Sequence, residues 1–474
     1  MKHTLRFTTL ATLVALASAV KAQDVKMIST TSDRQMDLAE SRLPFSSTKG
    51  SNVIQLLPNE TYQTMDGFGV AITGSTCYNL MRMSPESRTR FLEETFNPSS
   101  GYGFSYCRVS IGASDFSLDE YTCCDTPGIE NFGLTDEETT LVIPILQQIL
   151  SINPNLKIMG TPWTPPKWMK VKDLQSMEPW DGWTSGSLNP NLYKDYATYF
   201  IKWIQAFQQA GIPIYSVTPQ NEPLNRGNSV SCYMPWDEEA AFVKVLGPEI
   251  EKAGLKTKIF AFDHNYNYDN IESQKDYVGK MYQDPEANKY LAGGAFHNYG
   301  GKKDELIAVH NATPGKDLVF TETSIGTWND GRNLERHLNE DMEELGTGTL
   351  NRWCKGVIVW NLMLDEEKGP NRPGGCQTCY GAVDINMDYT KITRNSHYYV
   401  IAHLSSVILP DAVRVGTSGY TQEGLTYSAF KNPDGTLAVV LNNANTSDMD
   451  LTFADGKRQF QCHVPARSAV SLKW

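Results

Sequence analysis

The chain has 474 residues, 40% of them hydrophobic and 20% charged, with 36 Gly and 24 Pro. Those proportions belong to a globular protein and exclude a disordered or collagen-like one. Asp and Glu outnumber Lys and Arg by 54 to 42 for a net charge of −12, which argues against a phosphate backbone, and so nucleic acid, as partner.

Residues 1–22 read as a signal peptide. Lys2 and Arg6 precede a largely apolar run from Phe7 to Val20, and small residues suited to cleavage follow at Ala17-Ser18-Ala19 or at Ala22. That run is too short for a membrane span of about 20 strongly apolar residues, and nothing later reaches the length. The mature chain is therefore expected to be exported to the periplasm or the medium, as a monomer with no stable membrane insertion. Residues 23–60 are expected to supply strands, for instance Asn52–Leu57, that join a C-terminal β-domain.

From 61 to 409 a short apolar run alternates with a stretch of helical character. The runs are Gly67–Ile72, Phe104–Ile111, Leu156–Pro162, Ile214–Pro219, Lys258–Phe262, Ala292–Asn298, Leu318–Thr321 and Gly356–Asn361. Ser84-Pro85 reads as a capped helix start with Pro at the first position. Thr135 with Glu138 offers a capping box, and Leu192–Ala210 carries an apolar stripe that stops at Gly211. Helical character at Ser396–Ile408 completes the eighth unit. The pattern predicts an α/β fold, a (β/α)8 TIM barrel, with an open doubly wound sheet as the competing arrangement. Residues 410–474 turn to short alternating segments with an Asp434-Gly435 hairpin turn. They read as a small antiparallel side domain, a β-sandwich.

All nine Cys lie after residue 22. Cys376-Gln-Thr-Cys379 has metal-knuckle spacing, but no second such pair exists and zinc needs about four ligands. A local disulfide and two free thiols both remain open, Cys107 reads as core, and neither a metal nor a cofactor is assigned.

In such barrels the reacting groups sit at the C-terminal ends of strands. Polar and aromatic residues gather there: Asp115 after strand two, Trp163 after three, Asn221-Glu222-Pro223 after four, His297 and Tyr299 after six, Glu322 at seven, and Trp360-Asn361 at eight. Glu222 and Glu322 end hydrophobic strands on opposite sides of the mouth. Two carboxylates about 5 to 5.5 Å apart form the nucleophile and acid/base of a retaining glycosidase. Asn221 is placed to bond a sugar 2-hydroxyl. Trp163, Trp168, Trp180, Trp183, Trp236, Trp328 and Trp360 are dense between strands three and eight. About half are expected in the core, with Trp163 and Trp360 favoured for sugar stacking by their place at strand ends.

These residues carry a resemblance. Asp66-Gly-Phe-Gly69, Arg108-Val-Ser-Ile-Gly-Ala-Ser-Asp115-Phe116-Ser, Tyr121-Thr-Cys-Cys-Asp-Thr-Pro127, Trp163-Thr-Pro-Pro-Lys-Trp168, Gln220-Asn-Glu-Pro223 and Glu322 resemble glycoside hydrolase family 30. That group includes lysosomal glucosylceramidase and bacterial and fungal endo-β-1,6-glucanases. The resemblance implies retaining chemistry with Glu222 as acid/base and Glu322 as nucleophile. It also implies a glucose subsite lined by Asp115, Trp163, Asn221, His297, Tyr299 and Trp360. The Gly/Pro/Cys-rich stretch Gly369–Tyr380 departs from the lipid enzyme.

The expected activity is internal cleavage of β-1,6-glucan. Glucosylceramide or another β-glucoside is the alternative substrate, with xylan and fucosides ranked lower. A carbohydrate-binding barrel without catalysis is the non-enzyme alternative, and the presence of both Glu222 and Glu322 argues against it.

Overall fold

The computed structural model describes residues 24–48, 50–266 and 271–474; the expected signal peptide lies outside them. Eight parallel strands close into a barrel: β1 (Gly67–Ala71), β2 (Tyr106–Ser110), β3 (Lys157–Thr161), β4 (Ser216–Val217), β5 (Lys258–Asn265), β6 (Leu291–His297), β7 (Asp317–Glu322) and β8 (Cys354–Asn361). β8 returns to pair with β1, Ile358 beside Gly69. Each strand falls on an apolar run because it is buried on both faces, against helices outside and its neighbours inside. On β2, Cys107 and Val109 join the outer core. Tyr106 instead joins Met159, Phe260, Ala295, Val319 and Ile358 in an apolar plug within the barrel. Strand alternation carries the same inward face two residues onward to Arg108, His297, Thr321 and Trp360. A polar layer therefore sits directly above an apolar one.

Capping signals locate the helices. Ser84 Oγ accepts from the Ser87 N–H at 3.2 Å and starts helix Pro85–Phe96. Glu138 accepts from both the N–H (2.6 Å) and the hydroxyl (2.7 Å) of Thr135. A π-helical turn over Glu138–Val142 leads from there into helix Ile143–Ile152. In helix Tyr193–Gln209 one face buries Tyr196, Phe200, Trp203 and Phe207, and such a side chain contributes about 1.5–3 kcal/mol. Among the described residues no helix is long and apolar enough to cross a membrane.

The second unit is a nine-stranded sheet. Its strands Val25–Thr31, Ala39–Leu43 and Val53–Thr64 come from before the barrel and six more, beginning with Val413–Gly419, from after it. Its two ends face each other: Met27 Sδ lies 3.9 Å from Cys462 Sγ, and the rings of Phe460 and Trp474 are 5.0 Å apart. The sheet thus folds into a sandwich around its own apolar core. Strands within residues 410–474 pair antiparallel, as expected, whereas Val53–Thr64 pairs parallel with Met449–Ala454. Buried helix Ser396–Ser405 joins the two units, with His403 bonded to Ser471 Oγ and Thr30 Oγ1, each at 2.9 Å. Burial pushes its pKa down to about 3, so the linking imidazole is neutral.

Candidate active site

The polar layer is organised by Arg108. This guanidinium is fully buried in β2, where an unpaired charge would be heavily penalised. Its Nη1 donates to Glu322 Oε2 at 2.5 Å, and its Nη2 donates to Asp263 Oδ2 and Asn221 Oδ1, both at 2.7 Å. Its Cζ lies 4.8 Å from the Trp163 ring and 5.4 Å from that of Trp360, and those two indoles stack at 5.1 Å. Cation, carboxylates and aromatic faces lock one another in place.

Asp263 reaches this network through a break in strand alternation. A register shift on β5 between Phe262 and His264 accompanies left-handed backbone at Phe262 (φ 77°) and Asp263 (φ 55°). Phe262 then packs outward against Tyr277 while Asp263 turns inward. A bulge that re-aims a side chain beside a site is a recurring use of this irregularity. Asp263 Oδ1 accepts from Thr321 Oγ1 at 2.6 Å and from His297 Nε2 at 3.0 Å, and Oδ2 accepts from Thr218 Oγ1 at 2.7 Å. Burial opposes its charge, but Arg108, then His297 and Thr321, hold it ionised well below the usual carboxylate range.

Glu222 follows β4 in left-handed backbone (φ 43°), its N–H donating to the Asp263 carbonyl at 3.0 Å. Its Oε2 accepts from Asn225 Nδ2 at 2.7 Å and Asn228 Nδ2 at 3.2 Å, and its Oε1 lies 3.3 Å from His297 Nδ1. His297 therefore has a carboxylate on each ring nitrogen, the arrangement of an imidazolium with two donors. Burial disfavours that charge, yet Glu322, Asp263 and Glu222 together raise its pKa to about 9. Burial likewise opposes ionisation of Glu222, but the His297 hydrogen bond, His264 and the His297 charge bring it down to about 2. The pair shares one proton, held on the imidazole with Glu222 as its acceptor.

Glu322 ends β7 with Arg108 on Oε2 and the Tyr299 hydroxyl donating to Oε1 at 3.1 Å. Burial raises its pKa against the opposing pull of His297 and Arg108, with smaller upward contributions from the charges of Glu222 and Asp263. Asp115 is pushed up to about 8 by burial, then by Glu322 and Glu222, and its Oδ1 has no hydrogen-bond partner in the protein. Asp115, Glu222, Tyr299, Glu322 and Trp360 line one cavity of about 400 Å³ at the barrel mouth. Trp163, Asn221 and His297 stand immediately behind it, through Trp360, Arg108 and Glu222. A larger cleft of about 530 Å³ lies elsewhere, but its acids Asp37 and Glu94 are ion-paired to Arg394 on the surface.

All eight residues singled out from sequence are thus in or against one site. Sequence reasoning missed Arg108, Asp263, Asn225 and Asn228 as site members. A charged residue inside the apolar run Phe104–Ile111 was a signal for the first, and Asp263 directly follows the fifth run. Glu222, His264 and His297 also bring ligand-type atoms within 4.8 Å of one another. Both ring nitrogens of His297 are already taken, by Glu222 and by Asp263. Cys376 and Cys379 form a disulfide at the rim, and Cys107 is buried.

Comparison with known proteins agrees with this architecture. Residues 65–408 match the glycosyl hydrolase family 30 TIM-barrel domain and residues 411–472 the family 30 beta sandwich domain. The chain is 33% identical to the endo-1,6-beta-D-glucanase neg1 of Aspergillus fumigatus over 435 residues, 86% of this chain and 84% of that protein. It is 27% identical to the lysosomal acid glucosylceramidase of Mus musculus, over 90% of this chain and 84% of that one. A solved structure, the endo-beta1,6-glucanase BT3312, superposes with a TM-score of 0.95 at 62% identity, covering 95% of this chain and 99% of that one. Two family models spanning barrel and sandwich, over a mouth that gathers two buried glutamates, make this chain a glycoside hydrolase belonging to glycosyl hydrolase family 30.

Proposed function

We propose that the protein is an exported endo-β-1,6-glucanase working by double displacement, with Glu322 as nucleophile and Glu222 as acid/base. The observation that carries the substrate is the likeness to BT3312 over nearly the whole of both chains. Export rests on the basic start, apolar run and small residues of 1–22.

The geometry supports this reading at each step. Arg108 and Tyr299 hold the two oxygens of Glu322, so the ionised carboxylate meets C1 without reorganising. The proton shared by His297 and Glu222 passes to the glycosidic oxygen from Glu222 as the C1–O bond breaks. A glycosyl ester on Glu322 results. Glu222, now a carboxylate, takes a proton from water, whose oxygen attacks C1, releases Glu322 and restores the starting configuration. Asn221 gives its carbonyl oxygen to Arg108, which leaves the amide nitrogen for the sugar 2-hydroxyl. The unpartnered Asp115 Oδ1 suits an outer hydroxyl, and Trp360 the apolar face of the ring.

The glucosylceramidase relative favours glucosylceramide as the second reading. Purified protein incubated with linear β-1,6-glucan is expected to yield a ladder of short gluco-oligosaccharides, with β-anomers seen first by NMR. Release of glucose alone would replace the endo habit with attack from the chain end. Hydrolysis of glucosylceramide with no action on the glucan would overturn the substrate.

A further inference from the structure

The cavity holding both glutamates divides by exposure. Glu222, Glu322 and Trp360 are buried, whereas Tyr299 is 44% and Trp328 53% exposed. Trp328 is a Trp with its ring in solvent at the rim of the cavity. An open indole on the cavity that holds both glutamates offers a ligand an apolar face to stack on.

Its setting is built. The preceding Ile325–Gly326 pairs with Cys379–Tyr380, the Thr327 N–H donates to the Thr378 carbonyl at 2.9 Å, and the Cys376–Cys379 disulfide closes the partner segment. Gly326 has extended backbone that any residue could adopt, so its conformation does not explain the glycine. Its missing side chain does: a Cβ there would lie 2.0 Å from Cζ3 of Trp328. The indole lies close against Gly326, where a side chain would stand, and about half of the residue stays exposed.

We infer that Trp328, flanked by Tyr299, is the stacking platform for the sugar on the leaving-group side of the scissile bond. The inference rests on the glucanase reading and adds a specificity-determining residue to it. The buried residues enclose the ring whose C1 reacts. Beyond them, on the cavity shared with Glu222, which protonates the leaving oxygen, the open aromatic faces are those of Tyr299 and Trp328. A pyranose presents an apolar C–H face to such a ring. A glucan thus gains binding energy at the leaving group that a small aglycone does not.

The test compares W328A and W328F with wild type on β-glucosyl fluoride, which fills the buried subsite alone, and on β-1,6-linked gluco-oligosaccharides. For W328A the loss in kcat/KM on oligosaccharide is expected to exceed that on the fluoride by about tenfold, the range of one aromatic contact. W328F should recover most of it, and G326A, which displaces the ring, should reproduce it. Equal losses on both substrates would overturn the platform. Transfer from β-glucosyl fluoride to added methyl β-glucoside reads the same subsite in reverse without requiring a 1,6 linkage. If wild type hydrolyses the fluoride but not the oligosaccharides, the glucan reading fails by itself, and transfer still tests Trp328. Transfer unchanged in W328A would overturn the leaving-group assignment.

Discussion

The two ends of the barrel carry charged networks of similar make-up that differ in how fully they are buried. At the N-terminal end Lys157 meets Asp66 at 2.9 Å, Tyr215 donates to the same Asp66 oxygen at 3.0 Å, and Lys355 meets Asp317 at 3.0 Å. Those lysines remain partly in solvent. At the C-terminal end Arg108, Asp263 and His297 are fully buried. The same chemistry is therefore weaker at one end, where water partly screens it, and stronger at the other, where loss of one partner strands a charge. The first network lies at the floor of the barrel; the second sets protonation states around Glu222 and Glu322.

The sharpest way to break this contrast is at the reacting groups themselves. E322Q and E222Q are each expected to lower kcat on glucan by about 10³-fold or more, measured by reducing-end release. A variant of either that turned over at the wild-type rate would remove the mechanism. Next comes stability. R108M should cost about 3–5 kcal/mol by denaturant unfolding because Asp263 and Glu322 lose their buried cation, whereas K157M, which leaves Asp66 the Tyr215 hydroxyl, should cost less. Comparable costs would erase the distinction between the two ends.

The smallest and most diagnostic effect is in pH. The folded pKa of His297 is raised from 6.5 to about 9, so its stabilising contribution is complete below 6.5 and is lost as pH rises through about 9. Activity should fall over the same upper window as the His297–Glu222 pair loses its proton. It should fall at low pH as Glu322, with its raised pKa, becomes protonated. H297N should move the alkaline limb downward and, by removing a charge that lowers the Glu322 pKa, move the acid limb upward. An alkaline limb that did not move would take His297 out of the proton inventory.

Much of the fold was legible because it is written in local chemistry. Eight runs apolar on both faces, capping residues at Ser84 and Thr135, and an Asp-Gly turn each act over a few residues. Strand Val413–Gly419 is not legible in the sequence because Arg414, Thr417, Ser418 and two glycines dilute its apolar pattern. Its pairing with Val53–Thr64 bridges some 350 residues. Asp263 escaped for a different reason: period-two alternation from Phe260 points position 263 outward, and only the bulge at 262–264 reverses it.

Residue order was thus enough for the barrel, for the two glutamates at strand ends, and for the density of aromatics between strands three and eight. Apolar periodicity and strand-end position are properties of short segments and survive without a partner. Folding alone placed one buried guanidinium against Asp263, Asn221 and Glu322, gave His297 a carboxylate on each side, and seated Trp328 on a bare glycine backbone. Those relations depend on distances between strands far apart in the chain, and on the loss of water that gives a charge its strength.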